Sequence, residues 1–253
     1  VREGVDDEAQ KGGLHGMKNP RRTELNLSTC KGVLLDLGGT LIYGPSIREI
    51  FVKSLHSESL NLKIDESAKK GLSITFERIY DGLKVIKRKL LIEVSLYSIL
   101  KMVLEERLKA DAGLIERLRE TLLSLYIETR SAHDDARLFL KKLKTLGYRI
   151  MIVSNALDHY MALGSLEKLK LINYVDDVLT SAQLGIRKPH PLIYIIAMEK
   201  LKTSNVVFIG DDVEADVLGP LRVGIPAIHV VRKGVRLKRS LSTLSDVLDM
   251  ILT

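Results

Sequence analysis

A chain of 253 residues, 45% hydrophobic and 28% charged, can bury one sizeable core, or a core with a smaller insertion. It falls outside the collagenous, disulfide-rich and disordered classes. Its single cysteine, Cys30, excludes an internal disulfide and a cysteine-built zinc site, while a net charge of +7 favours anionic partners in general.

Residues 1–30 are polar, glycine-containing and aperiodic, which predicts a flexible N-terminal extension with Met17 as a candidate start. The extension lacks the apolar core of a signal peptide. The longest apolar stretch, LLIEVSLYSILKMVL (90–104), is interrupted by Glu93 and Lys101, short of the roughly 18 residues of a membrane span. A cytoplasmic protein with no membrane partner is expected.

At residues 32–36, GVLLD is a short continuous apolar run before a glycine turn, the pattern of a parallel strand buried on both faces. Residues 31–43 open the predicted core. From 44 to 131 the strand signal vanishes. Stretches 46–60, 65–110 and 112–130 carry apolar residues at three- and four-residue spacing, which predicts a helical bundle inserted into the core as a cap. Their charges alternate in sign, as in EERLKADAGLIERLRE (105–120), the mark of a solvated face, so no specific nucleic-acid partner is expected.

The core resumes at 132–253. Buried-strand runs at 149–155, 174–181, 205–212 and 226–231 alternate with helical stretches. This predicts an α/β fold: a Rossmann-like parallel sheet with helices on both faces. Right-handed crossovers would bring the strands' carboxyl ends to one edge.

Polar residues stand at those ends: Asp36 with Thr40, Ser154 with Asn155, Lys188 in a later loop, then Asp211 and Asp212 with Asp216. Gathered at one edge, the carboxylates can hold magnesium through oxygen ligands. Lys188, Ser154 and the N–H groups of the glycine turn, Gly39 included, can neutralise and hold a phosphoryl group. Asp36, beside that turn, is then free to attack phosphorus and form an aspartyl-phosphate.

These residues, in this order, resemble the haloacid dehalogenase-like hydrolase superfamily. Its first motif, Asp-x-Asp-x-Thr, aligns with Asp36-Leu37-Gly38-Gly39-Thr40, the second with Ser154, the third with Lys188 and the fourth with Asp211 and Asp216. The resemblance implies Asp36, Ser154 and Lys188 as catalytic residues; Thr40 and Gly39 are candidate substrate contacts, and Asn155 either contacts the site or substrate or caps a helix. It implies a Mg2+ site formed by Asp36, the Gly38 carbonyl, Asp211, Asp212 and Asp216. A small phosphorylated substrate and a monomer or homodimer are expected.

The sequence departs from the family at Gly38, where phosphatases of the family carry an aspartate that protonates the leaving group and activates water. Within the family such replacements accompany C–P or C–halogen cleavage. The dehalogenase branch lacks the paired acids of the fourth motif, whereas Asp211 and Asp216 are present here. The phosphonate branch needs a cap lysine, for which Lys53, Lys84, Lys87 and Lys89 are candidates. A metal- and phosphate-binding module without turnover is a further alternative. Tyr43 is a candidate contact to the site, and His190 is expected to be a loop residue.

Overall fold

The computed structural model describes residues 30–232, 236–238 and 240–252, so the predicted N-terminal extension lies outside the described residues except for Cys30. Strand β1 (Gly32–Leu35) is buried throughout and is followed by the two-residue β2 (Ile42–Tyr43). Helices α1 (Ile47–Leu55), α2 (Glu66–Leu90), α3 (Leu96–Leu108) and α4 (Ala112–Glu128) come next, and β3 (Ser131–Ala132) then pairs antiparallel with β2. The ribbon of β2 and β3 joins the helical insertion to the core. No sequence pattern marked it, because two-residue strands carry no periodicity.

Each helix of the insertion starts at a polar side chain that accepts from the backbone of the first turn: Ser46, Asp65, Ser95 and Asp111. Ser46 and Glu49 complete a capping box. The single periodic stretch predicted over 65–110 is two helices, broken at Leu91, which takes a left-handed conformation with φ 55°. The break follows from tertiary pairing. Ile92 bridges Ile186, Glu93 N–H donates to Gly185 O (2.8 Å), and Arg187 N–H donates to Leu91 O (3.0 Å). The insertion thereby touches the loop that precedes Lys188, and buried Lys87 pairs with buried Glu93 at the same place.

The second half runs through α5 (Ala136–Thr145), β4 (Arg149–Ser154), α6 (His159–Lys168), β5 (Asp177–Thr180), α7 (Ser181–Leu184) and α8 (Pro191–Leu201). It continues through β6 (Val206–Gly210), a π-helical turn (Val213–Leu218), α9 (Gly219–Arg222), β7 (Ala227–His229) and α10 (Leu244–Leu252). The run predicted as a strand from 174 begins three residues later, after a 3-10 turn over Ile172–Tyr174.

The five described strands of the main sheet are parallel, in the order β5-β4-β1-β6-β7. Strand order reverses around β1, where the first half of a Rossmann-like sheet meets the second. Alternate residues face opposite sides. Val33, Leu35, Ile150, Ile152, Val207 and Ile209 pack with α5, α6 and α10, whereas Leu34, Met151, Val153 and Phe208 pack with α8. A third cluster, including Phe51, Phe76, Leu100 and Leu122, fills the helical insertion. Among the described residues no helix is long and apolar enough to cross a membrane.

Candidate active site

Backbone direction explains why one edge collects the polar residues. Asp36 is the first residue after β1, and its N–H donates to Ile209 O at 2.9 Å, which carries the sheet register one residue beyond the strand. Ser154 is the last residue of β4, and Asp211 follows the last residue of β6. The parallel sheet therefore places the three side by side at the carboxyl edge, although 118 residues separate Asp36 from Ser154 in the chain.

Lys188 lies at the centre. Its Nζ donates to Asp36 Oδ1 at 2.7 Å and to Asp216 Oδ1 at 2.8 Å, and its side chain is 2% exposed. Burial alone would push the ammonium down, but the charges of Asp216 and Asp36 outweigh it and hold Lys188 above the ordinary lysine range. Asn155 grips the backbone of the same residue: its Nδ2 donates to Lys188 O (3.0 Å) and its Oδ1 accepts from Lys188 N–H (2.8 Å). His190 accepts from Leu192 N–H and caps α8.

Asp216 is buried, and its second oxygen accepts from the N–H groups of Asp211 (3.1 Å) and Asp212 (3.0 Å). The π-helical turn folds this carboxylate back under β6, and Gly210 makes room for it. A Cβ at Gly210 would lie 2.4 Å from Asp216 Cγ. Asp212 Oδ1 caps the same turn by accepting from Glu214 and Ala215 N–H. Buried His229 supports the segment from the next strand, with Nε2 2.9 Å from Asp211 O.

Asp36, Asp211 and Asp216 each offer a carboxylate oxygen within 4.8 Å of the others. Burial, helped by the Asp36 charge, pushes Asp211 up to about 6, and burial, opposed by Lys188 and again helped by Asp36, pushes Asp216 up to about 7. Three crowded oxygen donors against one ammonium form an environment short of positive charge. Such a donor set suits a hard divalent cation such as Mg2+. Asp212 stands outside this cluster, so the structure groups one fewer carboxylate than the sequence suggested.

The glycine turn differs from expectation in two places. Thr40 is fully buried and its Oγ1 donates to Asp211 Oδ1 at 3.1 Å, so its hydroxyl orients a carboxylate instead of facing substrate. Gly39 N–H donates to Ile42 O at 2.8 Å and is not free for a ligand. What Gly39 contributes is shape: φ is +91°, and a Cβ there would lie 2.4 Å from Asp211 Oδ2. Gly38 is the opposite case. It is exposed, and a Cβ built on it meets nothing within 4 Å.

A cavity of about 580 Å³ opens above these residues, a size suited to a small metabolite. Asp36, Gly38, Ser154, Asn155, Lys188 and the acids of the fourth motif line its floor. Tyr43, whose ring lies tilted against His133 with centroids 4.9 Å apart, Tyr80, Tyr126 and Arg130 line other parts of it. Neither Arg130 nor Tyr126 carries a motif signal, since each sits in an ordinary helical pattern near the end of the insertion.

The haloacid dehalogenase-like hydrolase model matches residues 30–224. A ribulose-1,5-bisphosphate 5-phosphatase from Halopiger xanaduensis is 36% identical over 113 residues, 44% of this chain and 47% of that protein. An (S)-2-haloacid dehalogenase 4A from Burkholderia cepacia is 32% identical over 143 residues, 53% of this chain and 61% of that protein. The matches thus span about half of these relatives' length. Among solved structures, a 2-haloacid dehalogenase from Pseudomonas syringae pv. Tomato DC3000 superposes with a TM-score of 0.63 at 20% identity, over 88% of this chain and 98% of that one, a likeness of fold. With the family model matching most of the chain, the protein belongs to the haloacid dehalogenase-like hydrolases.

Proposed function

We propose that the protein hydrolyses a phosphate ester of a small metabolite in a Mg2+-dependent reaction, with Asp36 as nucleophile. The observation that carries this reading is the Lys188 ammonium, held between Asp36 and Asp216 with Asp211 in the same cluster at the cavity floor. The named phosphatase relative supports it.

In this reading an Asp36 carboxylate oxygen attacks phosphorus, the bond from phosphorus to the ester oxygen breaks, and the departing alkoxide takes its proton from water to leave as the alcohol. Water then attacks the aspartyl-phosphate, releasing inorganic phosphate and restoring the carboxylate. Lys188 fixes the Asp36 carboxylate through Oδ1, and Asn155 positions Lys188 through its backbone. The Ser154 hydroxyl, with no partner among the described residues, donates to a phosphoryl oxygen. Magnesium, held by Asp36, Asp211, Asp216 and the Gly38 carbonyl, would supply positive charge against the phosphoryl oxygens. Residues 44–131 act as the cap and residues 31–43 with 132–253 as the hydrolase core. The cap excludes water and selects the substrate.

Gly38 offers no proton to the departing alcohol, so turnover is slow or favours substrates whose alcohols leave readily. The cavity weighs against the C–P alternative, because Lys188 is the only lysine among the described residues lining it. Lys87 is buried against Glu93 elsewhere. The three-carboxylate cluster weighs against C–halogen cleavage. The test is phosphate release from a panel of phosphomonoesters with magnesium, for wild type, Asp36→Asn and Gly38→Asp. Asp36→Asn should abolish release, and Gly38→Asp should raise it about 10²- to 10⁴-fold. No metal-dependent release from wild type or Gly38→Asp would sink the proposal.

A further inference from the structure

Among the described residues three cations line the cavity: Lys188, Arg187 and Arg130. Lys188 is matched by Asp36 and Asp216, and Arg187 lies 3.6 Å from Glu93. Arg130 is 6% exposed and has no carboxylate within ion-pair distance among the described residues. Burying a guanidinium without a counter-charge is unfavourable unless something compensates it.

Protein groups compensate only part of this charge. Nε donates to Tyr126 O at 3.2 Å, Nη2 donates to Pro45 O, and the guanidinium carbon stands 4.0 Å from the Tyr126 ring centroid. The Tyr126 side chain also hydrogen-bonds the guanidinium but carries no counter-charge, and Nη1 makes no hydrogen bond to the described residues. The chain keeps space for this arrangement, since a Cβ at Gly44 would lie 2.6 Å from Arg130 Cζ. The guanidinium is thus held in place from two sides while one of its faces is unmatched.

Resting on the phosphatase reading above, we propose that Arg130 receives a second anionic group of the substrate, a carboxylate or a second phosphate. The phosphoryl group that reacts is met by Lys188, Ser154 and the magnesium site at the floor. Arg130, reached from the start and the end of the helical insertion, meets the far end of the same molecule. A planar guanidinium with two free hydrogens pairs with either oxyanion. The preferred substrate class is therefore a phosphomonoester carrying a second negative charge, in place of a neutral sugar or alcohol phosphate.

The test needs no turnover. Calorimetric binding in the presence of Mg2+ compares methylphosphonate, phosphonoacetate and propane-1,3-bisphosphonate. Wild type should bind at least one of the two-anion compounds about 10- to 100-fold more tightly than methylphosphonate. The better of the two tells carboxylate from phosphate. Arg130→Gln should bring that preference to within about threefold while leaving methylphosphonate affinity unchanged, and Arg130→Lys should restore part of it. Equal affinity of wild type for all three compounds, equal weakening of all three in the variants, or no binding at all would overturn the proposal. The wild-type comparison stands even if the variants fail to fold. Tight two-anion binding without phosphate release from any ester would instead remove the phosphatase reading and keep the anion site.

Discussion

Lys188 and Asp36, 152 positions apart, meet at 2.7 Å in the interior of the sheet edge, and the same ammonium holds Asp216. Replacing it leaves two buried carboxylates facing each other and Asp211. Lys188→Met should abolish activity and lower stability by about 3–5 kcal/mol, the range for breaking a buried ion pair from one side. Urea unfolding with and without magnesium checks this. A variant as stable as wild type would show that the carboxylates do not depend on the lysine.

Two glycines predict opposite outcomes. Gly210→Ala places a methyl group 2.4 Å from Asp216 Cγ and must displace the carboxylate, so a loss of about 2 kcal/mol or more and weakened magnesium binding are expected. Gly38→Ala meets nothing within 4 Å and should leave stability within about 1 kcal/mol of wild type or slightly raised. Denaturant midpoints of the two variants measured side by side decide the matter.

Magnesium should stabilise the folded protein through Asp36, Asp211 and Asp216. At a concentration one hundred times its dissociation constant the gain is about 2.7 kcal/mol. Asp211→Asn should lose most of that gain, whereas Asp212→Asn, outside the carboxylate cluster, should keep it. Thermal melts over a magnesium titration give the answer, and equal behaviour of the two variants would argue against the cluster.

Asp135 links three parts of the core. It forms a bidentate pair with Arg232 (2.6 and 2.9 Å) and accepts from Leu244 N–H at the start of α10 (2.8 Å). Burial would raise this carboxyl, but the Arg232 hydrogen bonds and charge and the Leu244 N–H outweigh it and hold the group below the ordinary carboxylate range. A depressed folded value means the contribution is complete above about pH 4, the unfolded range, and is lost as pH falls through the folded value. Asp135→Asn should cost about 2–3 kcal/mol at neutral pH and flatten the acid limb of stability against pH between about 4 and 2. An unchanged acid limb would show that other carboxylates dominate it.

Strand-end chemistry was legible from the sequence because a buried parallel strand is a continuous apolar run. The residue that ends it, Asp36, Ser154 or Asp211, must therefore lie at the edge of the sheet, and the order of those residues along the chain carries the family pattern. The lack of a carboxylate at Gly38 and the presence of a helical insertion follow from equally local signals. The helix break at Leu91 does not, because an apolar residue there continues the helical pattern and only pairing with Ile186 and its neighbours interrupts it.

What the sequence by itself determined, then, is which polar residues reach the carboxyl edge of the sheet and that position 38 brings no side chain there. Tertiary structure alone decided how they are shared: Thr40 turned to Asp211, Gly39 N–H closed on Ile42, Asn155 attached to the Lys188 backbone, Gly210 opened for Asp216, and Arg130 left unmatched in the cavity wall. The physical reason is that residue type and spacing specify which hydrogen-bonding groups are present. Their partners are specified by contacts between segments far apart in the chain.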